Sequence, residues 1–105
     1  MTRRRSLACI APLLLALTPA TSSADDFSAT LCAALADVVP RVQGYQPEGV
    51  RAQLVMKIAG DFDYDPDALS RVSNEIDEAT SANCPDLRTR AIALAATPTL
   101  RDAVR

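Results

Sequence analysis

Histidine and tryptophan do not occur anywhere in the 105 residues. Without histidine the chain lacks the commonest general base and the commonest nitrogen ligand for metals. It also lacks the side chain whose charge ordinarily changes near neutral pH. Aromatic residues make up 4% of the sequence and glycines number three. No Gly-rich phosphate loop can be assembled from them. A basic excess is missing too, because Lys plus Arg is 11 against 13 for Asp plus Glu. That balance excludes binding to nucleic acid through bulk charge. The length excludes a two-domain enzyme, a multi-span transporter and a repeat solenoid.

What is there begins with a segment that reads as a processing signal. Arg3, Arg4 and Arg5 precede an apolar run over residues 7–17, centred on Leu13-Leu14-Leu15. Pro19 and the small residues Ser22-Ser23-Ala24 follow, ahead of Asp25-Asp26. A basic head, a short apolar centre and a small-residue cleavage site are the three parts of a secretory signal peptide. The apolar run is too short for a membrane anchor, which needs about 20 residues. Residues 1–24 are therefore expected to be cleaved, with a cut after Ala20 as the alternative, leaving 25–105 as one small domain. No lipid attachment is expected, because Cys9 lies at the start of the apolar run rather than after it. Cleavage removes three arginines and no acid, so eight basic side chains face 13 acids and the net charge becomes about −5. The expected location is periplasmic or secreted, with no membrane association after cleavage.

Cys9 leaves with the signal, and Cys32 and Cys84 remain, 52 positions apart. Two cysteines in a short exported chain point to a structural disulfide. A loop of that length gives about 4 kcal/mol in the chain-entropy account. A redox pair would favour C-x-x-C spacing and a nucleophile would favour a histidine, and the sequence offers neither.

Along residues 25–105 the periodicity is helical. Phe27, Leu31, Leu35, Val38 and Val39 lie on one face of a first helix over 27–39, with Pro40 after its end. Pro47 suits the first position of a second helix carrying Val50, Leu54 and Ile58, with Gly60 placed to end it. Asp65-Pro66 reads as an N-cap and first position of a third helix. Its inward stripe is Leu69, Val72, Ile76 and Ala79, while Arg71, Asn74, Glu75, Asp77 and Glu78 are expected largely to face water. Asn83 closes it. A fourth helix is expected over about 86–96, with Leu87, Ala91, Leu94 and Ala95 inward. A last short turn contains Leu100 and Val104. No segment alternates as a strand does. The expected fold is all-α, a compact bundle of four to five short helices with one disulfide after a cleaved signal peptide.

The run Asp61-Phe62-Asp63-Tyr64-Asp65-Pro66-Asp67 is the densest group of carboxylates. Clustered oxygens suit calcium, but an EF-hand frame starting at Asp61 puts Pro66 and Val72 where Gly and Glu belong. The simpler reading is an inter-helix loop ending in an N-cap, with Phe62 and Tyr64 on the bundle. A carboxylate pair for glycoside hydrolysis would need a cleft that an 81-residue helical domain has little room for. Tyr45, within Gln43-Gly44-Tyr45-Gln46-Pro47, suits either an interface anchor or a cover over the core. Lys57, the single lysine, reads as a solvent-facing charge. No residue receives a catalytic, cofactor-binding or metal-ligating role, and the site residues are the disulfide pair Cys32 and Cys84. The chain is expected not to be an enzyme.

The Cys32 and Cys84 layout over a small exported helical domain resembles the HdeA-type periplasmic acid-stress chaperones. Tyr45-Gln46-Pro47 is similar to an aromatic-Gln-Pro element of that family. The resemblance implies a short all-helical protein with unfolded client proteins as partners. Those chaperones are rich in lysine, and this chain has one. Pro47-Glu48-Gly49-Val50, Gln53-Leu54-Val55, Asp65-Pro66 and Cys84-Pro85 are similar to small immunity proteins against type VI secretion effectors. That family usually carries further cysteines, and the likeness implies a single protein partner. An uncharacterised small exported family is consistent with the same residues. Between pH 7 and pH 2 the side chains that titrate are the carboxylates, whose ordinary values lie at about 4. The expectation is a bundle that loosens below about pH 4, with no step near pH 6.

Overall fold

The computed structural model describes residues 23–105. The segment read as a signal peptide lies outside the described residues, apart from Ser23 and Ala24. The described residues form five helices: α1 (Ser23–Arg41), α2 (Pro47–Asp61), α3 (Pro66–Asn83), α4 (Pro85–Ala95) and α5 (Leu100–Ala103). No strand occurs among them. The fold class is the all-α bundle that the periodicity predicts.

Helix α1 is the central element and packs against α2, α3 and α4. Phe27, Leu31, Leu35, Val38 and Val42 recur at steps of four and three, and all five are buried. That spacing places the first four along one face of the helix, and Val42, just past its end, continues the stripe. The facing stripes are Val50, Leu54 and Ile58 on α2, and Val72 and Ile76 on α3. Helix α4 contributes Ala91 and Ala95, and α5 contributes Leu100 and Ala103. The small alanines let α4 approach closely, but they bury little apolar area. A fully buried leucine contributes about 1.5–3 kcal/mol, so Leu31, Leu35, Leu54 and Leu100 carry much of the core.

Two helix ends differ from expectation. Pro40 does not follow α1 but sits in its last turn, and Arg41 ends the helix. Proline removes one backbone donor and crowds the turn behind it. Here the turn is held from both sides of the chain. The Val42 N–H still bonds the Val38 carbonyl at 3.1 Å, and the Val42 side chain is fully buried. The Gln43 side chain donates to the Val39 carbonyl at 2.9 Å. Gly60 does not end α2, which runs on to Asp61. The left-handed residues are instead Asp63 (φ 58°) and Tyr64 (φ 57°). The Tyr64 N–H reaches the Ala59 carbonyl at 2.8 Å and the Asp63 N–H reaches Gly60 at 3.0 Å. These two bonds make a Schellman closure, in which the left-handed position lies beyond the last helical residue. Gly60 is therefore too early in the chain to supply it.

The start of α3 is as predicted. Asp65 is the N-cap, its side chain accepts the Ala68 N–H at 2.8 Å, and Pro66 follows in the first turn. Cys84 lies between α3 and α4. Its sulfur is 2.06 Å from that of Cys32 on α1, with the two Cα atoms 6.0 Å apart. The bond joins the central helix to the junction of α3 and α4.

Candidate functional site

Asp77 is the best-connected polar side chain of the described bundle. It stands on α3, one residue after the buried Ile76. Its Oδ1 accepts the backbone N–H of Leu100 at 2.8 Å, and its Oδ2 accepts that of Arg101 at 3.1 Å. Arg88 on α4 donates to the same Oδ1 through Nε at 3.1 Å and Nη2 at 2.8 Å. One carboxylate thus joins α3 to α4 and caps the start of α5. Partial burial raises the Asp77 pKa, but the hydrogen bonds from Leu100 and Arg101 and the Arg88 guanidinium outweigh it. The carboxyl is held below its ordinary value. Thr99 adds a second cap, its hydroxyl accepting the Asp102 N–H at 3.1 Å.

The expectation that Asp77 largely faces water is therefore wrong. Its side chain is 29% exposed and that of Arg88 is 22% exposed. The missed partners lie 11 and 23 positions away, beyond any local helical pattern. A weak signal was present in α5 itself, which is too short to hold its own shape in water. Such a stub needs a tertiary cap.

The acidic run does not gather around one point. Asp61 pairs with Lys57 at 3.3 Å, and Asp65 is occupied as the N-cap. Lys57 is half-buried, not a free surface charge, and also lies 4.0 Å from Asp37 on α1. Among the described residues no group of three or more His, Cys, Asp or Glu could hold a metal ion. Phe62 packs on the bundle, its ring centroid 5.6 Å from that of Phe27. The Arg71 guanidinium lies over the other aromatic partner, 3.9 Å from the Phe27 centroid. Tyr64, expected on the bundle, is instead exposed. Tyr45 is half-exposed and its ring lies beside Gly49.

Two shallow grooves border α5. One, of about 110 Å³, is lined by Val55, Ile58, Leu69, Val72 and Val104. The other, of about 390 Å³, is lined by Ala52, Val55, Met56, Asp102, Ala103 and Arg105. Val55 belongs to both, and Met56 is 62% exposed. Helix α2 therefore carries a second apolar stripe, Ala52, Val55, Met56 and Ala59, away from its core face. Arg51, at the margin of that stripe, donates to the Ala95 carbonyl at 2.8 Å and so ties α2 to the end of α4.

Among the described residues no helix is long and apolar enough to cross a membrane. Comparison with protein-family models, with curated proteins and with solved structures gives no match.

Proposed function

We propose that the chain is a small exported, non-enzymatic protein of the HdeA type, which loosens in acid and then holds unfolded polypeptides. The observation that carries this reading is the dependence of the carboxy-terminal end of the bundle on one carboxylate. Asp77 accepts four hydrogen bonds from three residues of α4 and α5. Acid removes such a tie by protonation, and no histidine exists to respond at milder pH. The Cys32–Cys84 bond, which acid leaves intact, limits how far the chain opens. The exposed Val55 and Met56 beside α5 supply apolar surface for a client.

The test follows residues 25–105 from pH 7 to pH 2 by circular dichroism and apolar-dye binding, with malate dehydrogenase as the acid-aggregating client. Reversible loosening below about pH 4, together with a soluble client, is the expected result. Loosening that leaves the client to aggregate would remove the chaperone reading.

A second reading is supported by the half-exposed Tyr45 beside Gly49 and by Met56 on the same helix. A preformed face of this kind suits a periplasmic immunity protein with one protein partner. That reading expects a dye-silent protein down to ordinary acid denaturation, and one tight partner recovered at pH 7.

A further inference from the structure

We propose that α5 is a displaceable lid, and that the apolar trough beneath it, between α2 and α3, receives an apolar helix-forming segment of an unfolded polypeptide when the Asp77 tie breaks. The inference rests on the chaperone reading and assigns its client surface and its trigger.

Helix α5 spans four residues, Leu100 to Ala103, which is far below the length that is helical alone. Its shape is imposed by what it touches. Leu100 and Ala103 are buried and Val104 is half-buried against the core. These anchors fall at i, i+3 and i+4, the spacing by which an amphipathic helix lies in a groove. In the closed molecule the occupant of the trough is thus a segment of this chain. Both grooves use α5 and the two residues after it as one wall, Val104 in the first and Asp102, Ala103 and Arg105 in the second. They share Val55 on the opposite wall. Lifting α5 fuses them into one trough running from Met56 through Val55 to Ile58 and Val72. A segment with the same anchor spacing then fits where α5 lay.

The hinge is also placed. Arg51 holds the Ala95 carbonyl, which fixes the end of α4 to α2. The next residue, Ala96, is exposed and left-handed, with φ 56°. Turning the chain at residues 96–98 leaves that tie in place and loosens only the closing bonds of α4, from the Ala96 N–H to the Ala93 carbonyl and from the Thr97 N–H to the Ile92 carbonyl.

The charged groups around Asp77 set the trigger. From α4, Arg88 is its ion pair. From α5, Arg101 offers its backbone N–H while its side chain is exposed, and Asp102 lies 3.8 Å from Arg105. On α3 the adjacent Glu78 is exposed. From α1, Asp37 is engaged by Arg41 and Lys57, and Asp26 lies near Phe27 and Arg71. Protonation of Asp77 therefore leaves Arg88 without its counter-charge and turns an acceptor of α5 N–H groups into a weaker one.

Amide hydrogen exchange on residues 25–105, expressed as protection against intrinsic rates, tests the lid. As pH falls, Leu100 to Val104 should lose at least tenfold in protection before the buried positions of α1 and α3 do. Dye binding should rise in the same step. Asp77→Asn should reproduce both changes at pH 7, and adding Val55→Asp should cut the dye signal several-fold. If Asp77→Asn does not fold, the wild-type pH series decides alone. Loss of protection in α5 only together with α1 and α3 overturns the lid, as does a dye signal indifferent to Val55→Asp. Client protection at pH 3 with no early α5 step sinks the lid and leaves the chaperone reading. An early α5 step without client protection sinks the client surface and that reading together, leaving only an acid-labile helix.

Discussion

The carboxylate of Asp77 lies 2.8 Å from the backbone nitrogen of Leu100, although 23 positions separate them in sequence. The contact closes a small hydrogen-bonded frame between α3 and α5, with Arg88 of α4 on the same oxygen. It ties the start of the carboxy-terminal helix to the side of α3.

Removing that carboxylate should be costly at neutral pH. Asp77→Ala strands the partly buried Arg88 and two backbone donors, at about 2–3 kcal/mol. In a domain of this size the melting temperature should fall by about 10–20 °C. A calorimetric shift below a few degrees would show that the frame contributes little.

The same residue gives a signed dependence on pH. The folded Asp77 carboxyl lies below the ordinary 3.8 of an aspartate. Its contribution is therefore complete above the unfolded value and is lost as pH falls towards and through the folded one. The stability difference between wild type and Asp77→Asn should shrink steadily below about pH 4 in urea titrations. A difference that stays constant across that range would rule out this linkage.

Cys32→Ser removes the link across 52 positions. The expected cost is about 4 kcal/mol, a large share of the stability of a small domain. Thermal unfolding should fall by at least about 15 °C, and reduction of the wild type should reproduce it. A mutant melting within a few degrees of wild type would mean that the core suffices.

Ala96 occupies the left-handed position after α4 with φ 56°. A side chain there costs about 1–2 kcal/mol, which exceeds the entropy that glycine loses on folding. Ala96→Gly should raise the melting temperature by a few degrees. A decrease would show that the strain is already relieved by neighbouring contacts.

Asp65 and Asp67 sit close together in the acidic run, yet only Asp65 caps α3. Asp65→Ala should cost about 1 kcal/mol, and Asp67→Ala only a few tenths. Millimolar calcium should leave both melting curves unchanged. A calcium-dependent rise lost in either variant would restore the cation reading of this loop.

Most of the bundle was legible because its determinants are local. Val50, Leu54 and Ile58 repeat every fourth residue, and Asp65-Pro66 marks a helix start without reference to anything distant. The disulfide was legible because only two cysteines remain after the expected signal. Pro40 and Gly60 misled because helix-ending tendencies yield to tertiary contacts in one case and to loop closure in the other, the buried Val42 and the Schellman bonds. Thr80 was missed as a core residue because its hydroxyl finds a partner within its own helix, the Ile76 carbonyl at 2.7 Å. The Asp77 frame was hidden because hydrogen bonds between distant elements leave no period in the sequence.

The cross-link also sorts the chain into two mechanical classes. Residues 32–84 form a covalent ring that contains α2 and α3, whereas α4 and α5 lie outside it as a branch and, beyond the peptide bond to Cys84, are held to it by non-covalent contacts alone. A protease cut inside the ring leaves one molecule of unchanged mass, apart from the added water, until a reductant separates the pieces. A cut beyond Cys84 yields a fragment that separates on denaturation without any reductant. The pattern of fragments with and without reductant thus reports which part of the bundle opened first. A bundle whose branch opens first should lose α5 to proteolysis while its ring is still whole.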